Sequence, residues 1–302
     1  MNEYLPSYLD LFKKGILQQR SGALDAIMER CELCPRKCRI NRKNGETGYC
    51  QAGYELKVSS AFPHYGEEAP LVGYNGSGTI FLTHCTLRCS FCQNYEISHL
   101  DEGNIVSTNT LAQMMISLQK RGCHNINFVT PTHYVPRIVD ALQIAIKDGL
   151  KIPLVYNCGG YESLQVIRCL EDIFDLYMPD VKFADDVHAL KYMNAGDYFK
   201  NLKLILKEMH RQVGILKTDE SDVAYRGIII RHLVMPDSIQ GSEEIFKFIT
   251  EELSRDTYVN IMNQYHPCYE AANDNIINRR ISGSEYHDAV AIAQKHGLHR
   301  GF

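Results

Sequence analysis

The chain has 302 residues, of which 45% are apolar and 23% charged, ordinary globular usage that sets aside disordered and membrane-embedded classes. Its 32 basic and 36 acidic residues leave a net charge of -4, without the overall basic balance of a protein that lives on nucleic acid. Neither DNA nor a membrane is expected as a partner, and the length suits a single α/β barrel with a small appendage.

At the amino end Glu3, Asp10, Lys13 and Lys14 interrupt the apolar residues. That spoils a signal-peptide reading, and no apolar run is long enough to cross a bilayer, so a cytoplasmic location is expected. Eleven cysteines are unusual in a reducing compartment, where clustered thiols more often bind metal or do redox chemistry than form disulfides.

Residues 1–65 read as an N-terminal helical and Cys-rich metal-binding region. Cys31-x2-Cys34-x3-Cys38-x11-Cys50 places four soft ligands in a segment otherwise too polar to build a core, so bound metal would supply its folding energy. Four thiolates satisfy tetrahedral zinc or a fully ligated iron–sulfur cubane, and the spacing leaves both open. Arg36, Lys37, Arg39, Arg42 and Lys43 surround the thiols as a basic patch, or simply offset thiolate charge.

A Gly-rich stretch over 65–78 leads into the main domain, 66–302. There, short β-branched runs at 79–83, 126–130, 153–157, 176–181, 227–234 and 258–262 alternate with helical periods. Leu111, Met114, Met115 and Leu118 share one helical face after the first run, and Ile138, Val139, Leu142, Ala145 and Ile146 another after the second. Six such units predict an α/β fold, a partial (β/α)6 TIM-like barrel, with its ligand site at the carboxyl ends of the strands. The polar residues at those ends are Thr130, Thr132 and His133, then Asn157 and Cys158, Asp180 and Lys182, Arg231 and His232, and Gln264 with Tyr265.

Immediately after the first strand, Thr83-His84-Cys85-Thr86-Leu87-Arg88-Cys89-Ser90-Phe91-Cys92 sets three thiols in one short loop. Iron–sulfur cubanes normally take four thiolates, so three leave one iron free for a chelating ligand. A zinc site would need a fourth protein ligand from elsewhere. His84 and His133 are candidate proton-transfer groups, Cys158 a candidate hydrogen donor, and Tyr156, Tyr161 and Tyr265 should lie near the site.

This C-x3-C-x2-C loop, with an aromatic residue before its last cysteine, resembles the signature of the radical S-adenosylmethionine (SAM) superfamily. The resemblance implies that Cys85, Cys89 and Cys92 ligate a [4Fe-4S] cluster, that SAM occupies the fourth iron, and that Phe91 covers the adenine side. Reductive cleavage of SAM would give methionine and a 5'-deoxyadenosyl radical that abstracts hydrogen from a substrate. The cluster would be charged by an electron donor such as flavodoxin or ferredoxin. The segments 34–38, 76–81, 128–133, 178–182 and 231–234 further resemble the pyruvate formate-lyase activating enzyme-like group labelled PflX, which implies kinship with glycyl-radical activases and a protein substrate. Many superfamily members hold the SAM amino group with a Gly-Gly-Glu-type segment after the second strand. This chain has Thr130-Pro131-Thr132 there, so Thr130 and Thr132 become SAM-contact candidates, alongside Asn157, Asp180, Lys182 and Arg231 at the strand ends. For each of these residues the competing role is structural, a helix cap, a turn or a buried ion pair. A competing function makes the first cysteine group a zinc-knuckle-like RNA reader on a barrel that binds SAM without turnover.

Overall fold

The computed structural model describes residues 4–302. Two helices, α1 (Tyr8–Lys13) and α2 (Ile16–Ala26), precede a long irregular segment carrying the first cysteine group. Strand β1 (Leu56–His64), helix α3 (Ala69–Val72), strand β2 (Ser77–Leu82), helix α4 (Tyr95–Ser98) and strand β3 (Asn104–Val106) follow. The chain then alternates through α5 (Thr108–Lys120), β4 (Ile126–Val129), α6 (Val135–Lys147), β5 (Leu154–Cys158), α7 (Leu164–Cys169) and β6 (Leu176–Pro179). It continues through α8 (Asp186–Met193), α9 (Tyr198–Val213), β7 (Lys217–Thr218), β8 (Ala224–Leu233), α10 (Ser242–Glu252), β9 (Tyr258–Met262) and α11 (Gly283–Lys295).

Strands β2, β4, β5, β6, β8 and β9 pair in parallel in that order, and each coincides with one of the six runs expected from sequence. The fold is therefore α/β with a mostly parallel central sheet, as a partial barrel requires. Three further strands were not anticipated. β1 pairs antiparallel with β2, β3 with β1 and β7 with β8. Ser59, Ser60 and Pro63 mask β1 in the sequence, because strand propensity is low at all three; a strand near the sheet margin tolerates them.

Helix α6 shows why the alternation folds as it does. Pro136 sits in its first turn, where a missing N–H costs nothing, and Ile138, Val139, Leu142 and Ala145 are buried against the sheet. Each large side chain buried this way contributes about 1.5–3 kcal/mol. Ser107 caps α5 by accepting from Thr110 N–H.

On the concave face, Val155, Leu176, Met178 and Ile229 form an apolar floor with Leu71 of α3. Strand side chains repeat with period two. The next inward positions are thus Asn157, Asp180 and Arg231, directly above that floor. The sheet is curved enough for Arg231 on β8 to bond Asn157 on β5 across β6.

Candidate active site

The three-cysteine loop leaves β2 at the carboxyl edge of the sheet and folds over the concave face. Two of its residues, His84 (φ 74°) and Arg88 (φ 50°), adopt left-handed backbone; the His84 N–H donates to Ile97 O at 2.9 Å, while the turn at Arg88 leaves a backbone N–H facing a thiol, a geometry suited to anions and iron–sulfur centres. Leu87 N–H donates to Cys85 Sγ at 3.4 Å, and Cys92 Sγ lies 3.2 Å from Ser98 Oγ. Buried atoms around the loop remain without partners, namely His84 Nδ1, Arg88 Nη1 and His99 Nε2.

Cys85, Cys89 and Cys92 line one cavity with Phe91, Thr130, Asn157, Cys158, Asp180, Lys182 and Arg231. Its empty space, mouth included, is about 1080 Å³, at the upper end for ligand sites. The structure thus gathers the candidates from four strand ends and the loop into one place. Phe91 forms the apolar wall, its ring packing against Phe183 (5.9 Å), Tyr192 (6.4 Å) and Tyr265 (6.4 Å).

The polar wall is one charged network. Asp180 Oδ1 accepts from Arg231 Nε at 2.7 Å and Oδ2 from Lys182 Nζ at 2.7 Å, while Arg231 Nη2 donates to Asn157 Oδ1 at 2.6 Å. Burial alone would raise the Asp180 carboxyl, but Arg231 and Lys182 outweigh it and hold it below its ordinary value. Glu67 and Glu68 approach Arg231 from the far side at 3.9 and 4.0 Å; burial, despite that guanidinium, pushes Glu67 up to about 7. Burial also pushes the Cys85 thiol up to about 11 and raises Cys89, with Lys182 acting in the opposite direction on both. Metal coordination would replace the proton on each sulfur.

Thr130 carries φ 57°. A β-branched residue in that region is strained, and such strain concentrates at functional sites. Its N–H is fixed on Asn157 O at 2.8 Å. Thr132 is not among the cavity's lining residues; its buried hydroxyl donates to Glu162 Oε1 at 2.8 Å, and Tyr156 OH donates to Oε2 at 2.8 Å. Burial pushes Glu162 up to about 7. His84 lines the cavity and meets Asp101 at 3.0 Å. His133 does not; it is buried against Thr83 O at 2.8 Å and held neutral, its pKa lowered to about 3 by burial. Tyr265 backs Phe91, whereas Tyr161 bonds Asp197 at 2.5 Å. Cys158 lines the cavity and also sits beside Glu162.

Sequence reasoning passed over Glu67, Glu68 and Glu162. The first pair lies in the Gly-rich lead-in, and the last follows Cys158-Gly159-Gly160-Tyr161, a strand-end signal that could have flagged it. Cys268 stands within electrostatic reach of Cys92, which nothing in its spacing announces.

Cys31, Cys34, Cys38 and Cys50 surround a separate small cavity, with Arg36, Arg42, Thr86 and His133 also in its wall. Among the described residues no group of three or more His, Cys, Asp or Glu side chains is placed to hold a metal ion. This applies to the three-cysteine loop and the four-cysteine segment alike. Among the described residues no helix is long and apolar enough to cross a membrane.

Comparison with known proteins bears directly on the loop. The profile of the radical SAM superfamily matches residues 79–220. An uncharacterised protein of Methanocaldococcus jannaschii, MJ0674, is 32% identical over 299 residues, covering 96% of this chain and 82% of that protein. A second from the same organism, MJ0808, is 26% identical over 264 residues, covering 82% of this chain and 73% of its own length. The chain belongs to the radical SAM superfamily, which implies a [4Fe-4S] cluster, SAM and an enzymatic role.

Proposed function

From that membership, we propose that the chain cleaves SAM reductively at a [4Fe-4S] cluster held by Cys85, Cys89 and Cys92 and directs the resulting radical at a protein, in the manner of a glycyl-radical activase. The observation that carries the cofactor reading is the convergence of the three-cysteine loop, Phe91 and the Asn157–Asp180–Lys182–Arg231 network on one cavity. Three cysteines, the Leu87 N–H aimed at Cys85 Sγ and the unpartnered buried Arg88 Nη1 on one loop suit an anionic cluster with one iron left free. Bound there, the cluster would supply the electron that breaks a sulfonium C–S bond and so yields a 5'-deoxyadenosyl radical.

The chain's own residues then have separable tasks. Phe91 and its aromatic partners exclude water from one side of the cavity. Arg231 and Lys182, fixed by the Asp180 carboxylate, and Asn157, held by Arg231, present oriented donors that suit the polar end of SAM. Thr130 offers a hydroxyl and a carbonyl where other superfamily members use an acidic segment. A small redox protein, flavodoxin or ferredoxin, is the electron donor in this reading.

The activase role is favoured by the resemblance of the 34–38, 76–81, 128–133, 178–182 and 231–234 segments and by the cavity's open mouth. Anaerobic reconstitution, followed by dithionite and SAM, should give 5'-deoxyadenosine that disappears in Cys89→Ala. A protein substrate should raise the yield and acquire a radical visible by electron paramagnetic resonance, whereas stimulation by small molecules alone would reject the activase role. Tight, salt-dependent RNA binding with no SAM cleavage would favour the competing binding-module reading.

A further inference from the structure

The segment from Cys31 to Gly53 contains one short 3-10 turn, Arg42–Asn44, and no strand, yet its backbone is sharply shaped. Lys37 (φ 44°), Arg39 (φ 57°) and Gln51 (φ 63°) take left-handed backbone, each adjacent in sequence to Cys38 or Cys50. Non-glycine residues adopt this conformation at a cost, and here three of them flank cysteines of the group. Gly48 approaches so closely that a Cβ on it would lie 2.8 Å from Cys38 Sγ. Tyr49 N–H donates to that sulfur at 3.4 Å. Leu33, Cys34 and Ala52 are buried, too little apolar surface to fix such a path unaided.

The charges around the thiols are unbalanced. Arg42 is 1% exposed. It donates to Gly53 O, to His133 O at 2.5 Å and to Met28 Sδ at 3.5 Å, and its guanidinium lies 5.8 Å from the Tyr134 ring. Arg36 donates to Thr86 O at 3.1 Å, to Met193 O at 2.7 Å and to Asn194 O, and stacks 3.9 Å over Tyr49. Both side chains line the four-thiol cavity, and neither forms an ion pair with a carboxylate among the described residues. Arg42 is buried and Arg36 half-buried, and burying a cation without a counter-charge is costly. Four thiolates around a divalent ion, or around a doubly positive cubane, carry about two negative charges. Two arginines match that charge.

We propose that Cys31, Cys34, Cys38 and Cys50, which line one small cavity but are not placed as ligands in this structure, close around a metal to form a second centre of four thiolates, whose negative charge is balanced by Arg36 and Arg42. Zinc and an iron–sulfur cluster share this chemistry. Arg36 extends from between two of the ligands to the carbonyl of Thr86, next to Cys85, and to the end of α8. The second centre thus braces the three-cysteine loop through one side chain. With four protein ligands it has no open position for substrate, so its role is structural or electron-relaying.

The test separates the two centres. A Cys85→Ala/Cys89→Ala/Cys92→Ala variant is purified and reconstituted anaerobically, then analysed for iron, sulfide and zinc. Retention of about one zinc, or about four irons with sulfide, per chain supports the proposal and identifies the metal. Its loss on adding Cys34→Ser and Cys50→Ser assigns the ligands. A triple variant that keeps its far-UV circular dichroism and binds no metal overturns the proposal, whatever the wild-type chain does with SAM. Should the five-site chain fail to fold, Arg42→Met in the triple variant decides in its place. A metal-off rate at least about tenfold faster to a chelator is expected, since about 1.4 kcal/mol of lost charge compensation corresponds to tenfold; an unchanged rate removes the charge-balance argument.

Discussion

Replacing Asp180 by Asn keeps the shape of the side chain and removes the one charge that separates two cations. Asp180 accepts one hydrogen bond from Arg231 Nε at 2.7 Å, with Nη2 in ion-pair contact also at 2.7 Å, and one from Lys182 at 2.7 Å. Breaking a buried ion pair by removing one partner costs about 3–5 kcal/mol, because the remaining charge is left uncompensated. Here the three side chains are 15–18% exposed to the cavity, and Glu67 and Glu68 still face Arg231. The expected loss is accordingly at the lower end, about 3 kcal/mol. Anaerobic urea titration followed by circular dichroism measures it as a lower midpoint at unchanged slope. Adding Arg231→Met should recover part of the loss, giving a coupling of about 1 kcal/mol or more in the double-mutant cycle. A loss below about 1 kcal/mol, the range of a surface pair, with additive behaviour would refute the view that this network is a buried, mutually dependent unit.

Three other outcomes are expected. Gly160 has φ 80°, and a Cβ there would meet Leu202 Cδ1 at 2.5 Å and Asp180 O at 2.7 Å. Gly160→Ala should therefore cost about 3 kcal/mol from left-handed strain and overpacking, read as a lower thermal midpoint. His232 is buried between Val181 O and Ser242 Oγ at 2.9 Å each. Burial lowers its pKa from 6.5 to about 4, so the unfolded chain binds the proton first. Stability should be intact above pH 6.5 and fall by about 3 kcal/mol as pH drops toward 4; His232→Gln should flatten that part of a denaturation-versus-pH profile. Thr130→Gly relieves the strained backbone at the cavity, so the thermal midpoint should hold or rise while SAM affinity, by calorimetry, falls about tenfold with the lost hydroxyl, about 1.4 kcal/mol. An unchanged affinity would remove Thr130 from the SAM contacts.

The six parallel strands were legible because each is a short, mostly apolar run followed by polar residues, as at Ile126–Val129 and Leu154–Cys158. Asn157, Asp180, Lys182 and Arg231 were legible for a related reason, since an odd polar residue at a barrel-strand end faces the ligand. β1 was not, because Ser59, Ser60 and Pro63 break its pattern and its role depends on a partner strand distant in shape from any local signal. Thr130 and Thr132 look equivalent in sequence, yet the left-handed turn at Thr130 leaves the first on the cavity and sends the second to Glu162. Pairing between residues far apart in sequence, such as Glu68 with Asn260 at 3.0 Å, belongs to the curvature of the sheet and has no periodic trace. Arg36 and Arg42 were visible only as part of a basic patch; the burial of Arg42 and the lack of carboxylate partners at both emerged from packing.

The most direct test of the radical assignment is 5'-deoxyadenosine production under anaerobic conditions, with dithionite and SAM, by the reconstituted chain and by Cys85→Ala, Cys89→Ala and Cys92→Ala. Product from the wild type and none above background from the three folded variants is the predicted result. Undiminished product in any of the three, or a wild-type chain that takes up no iron, would contradict it.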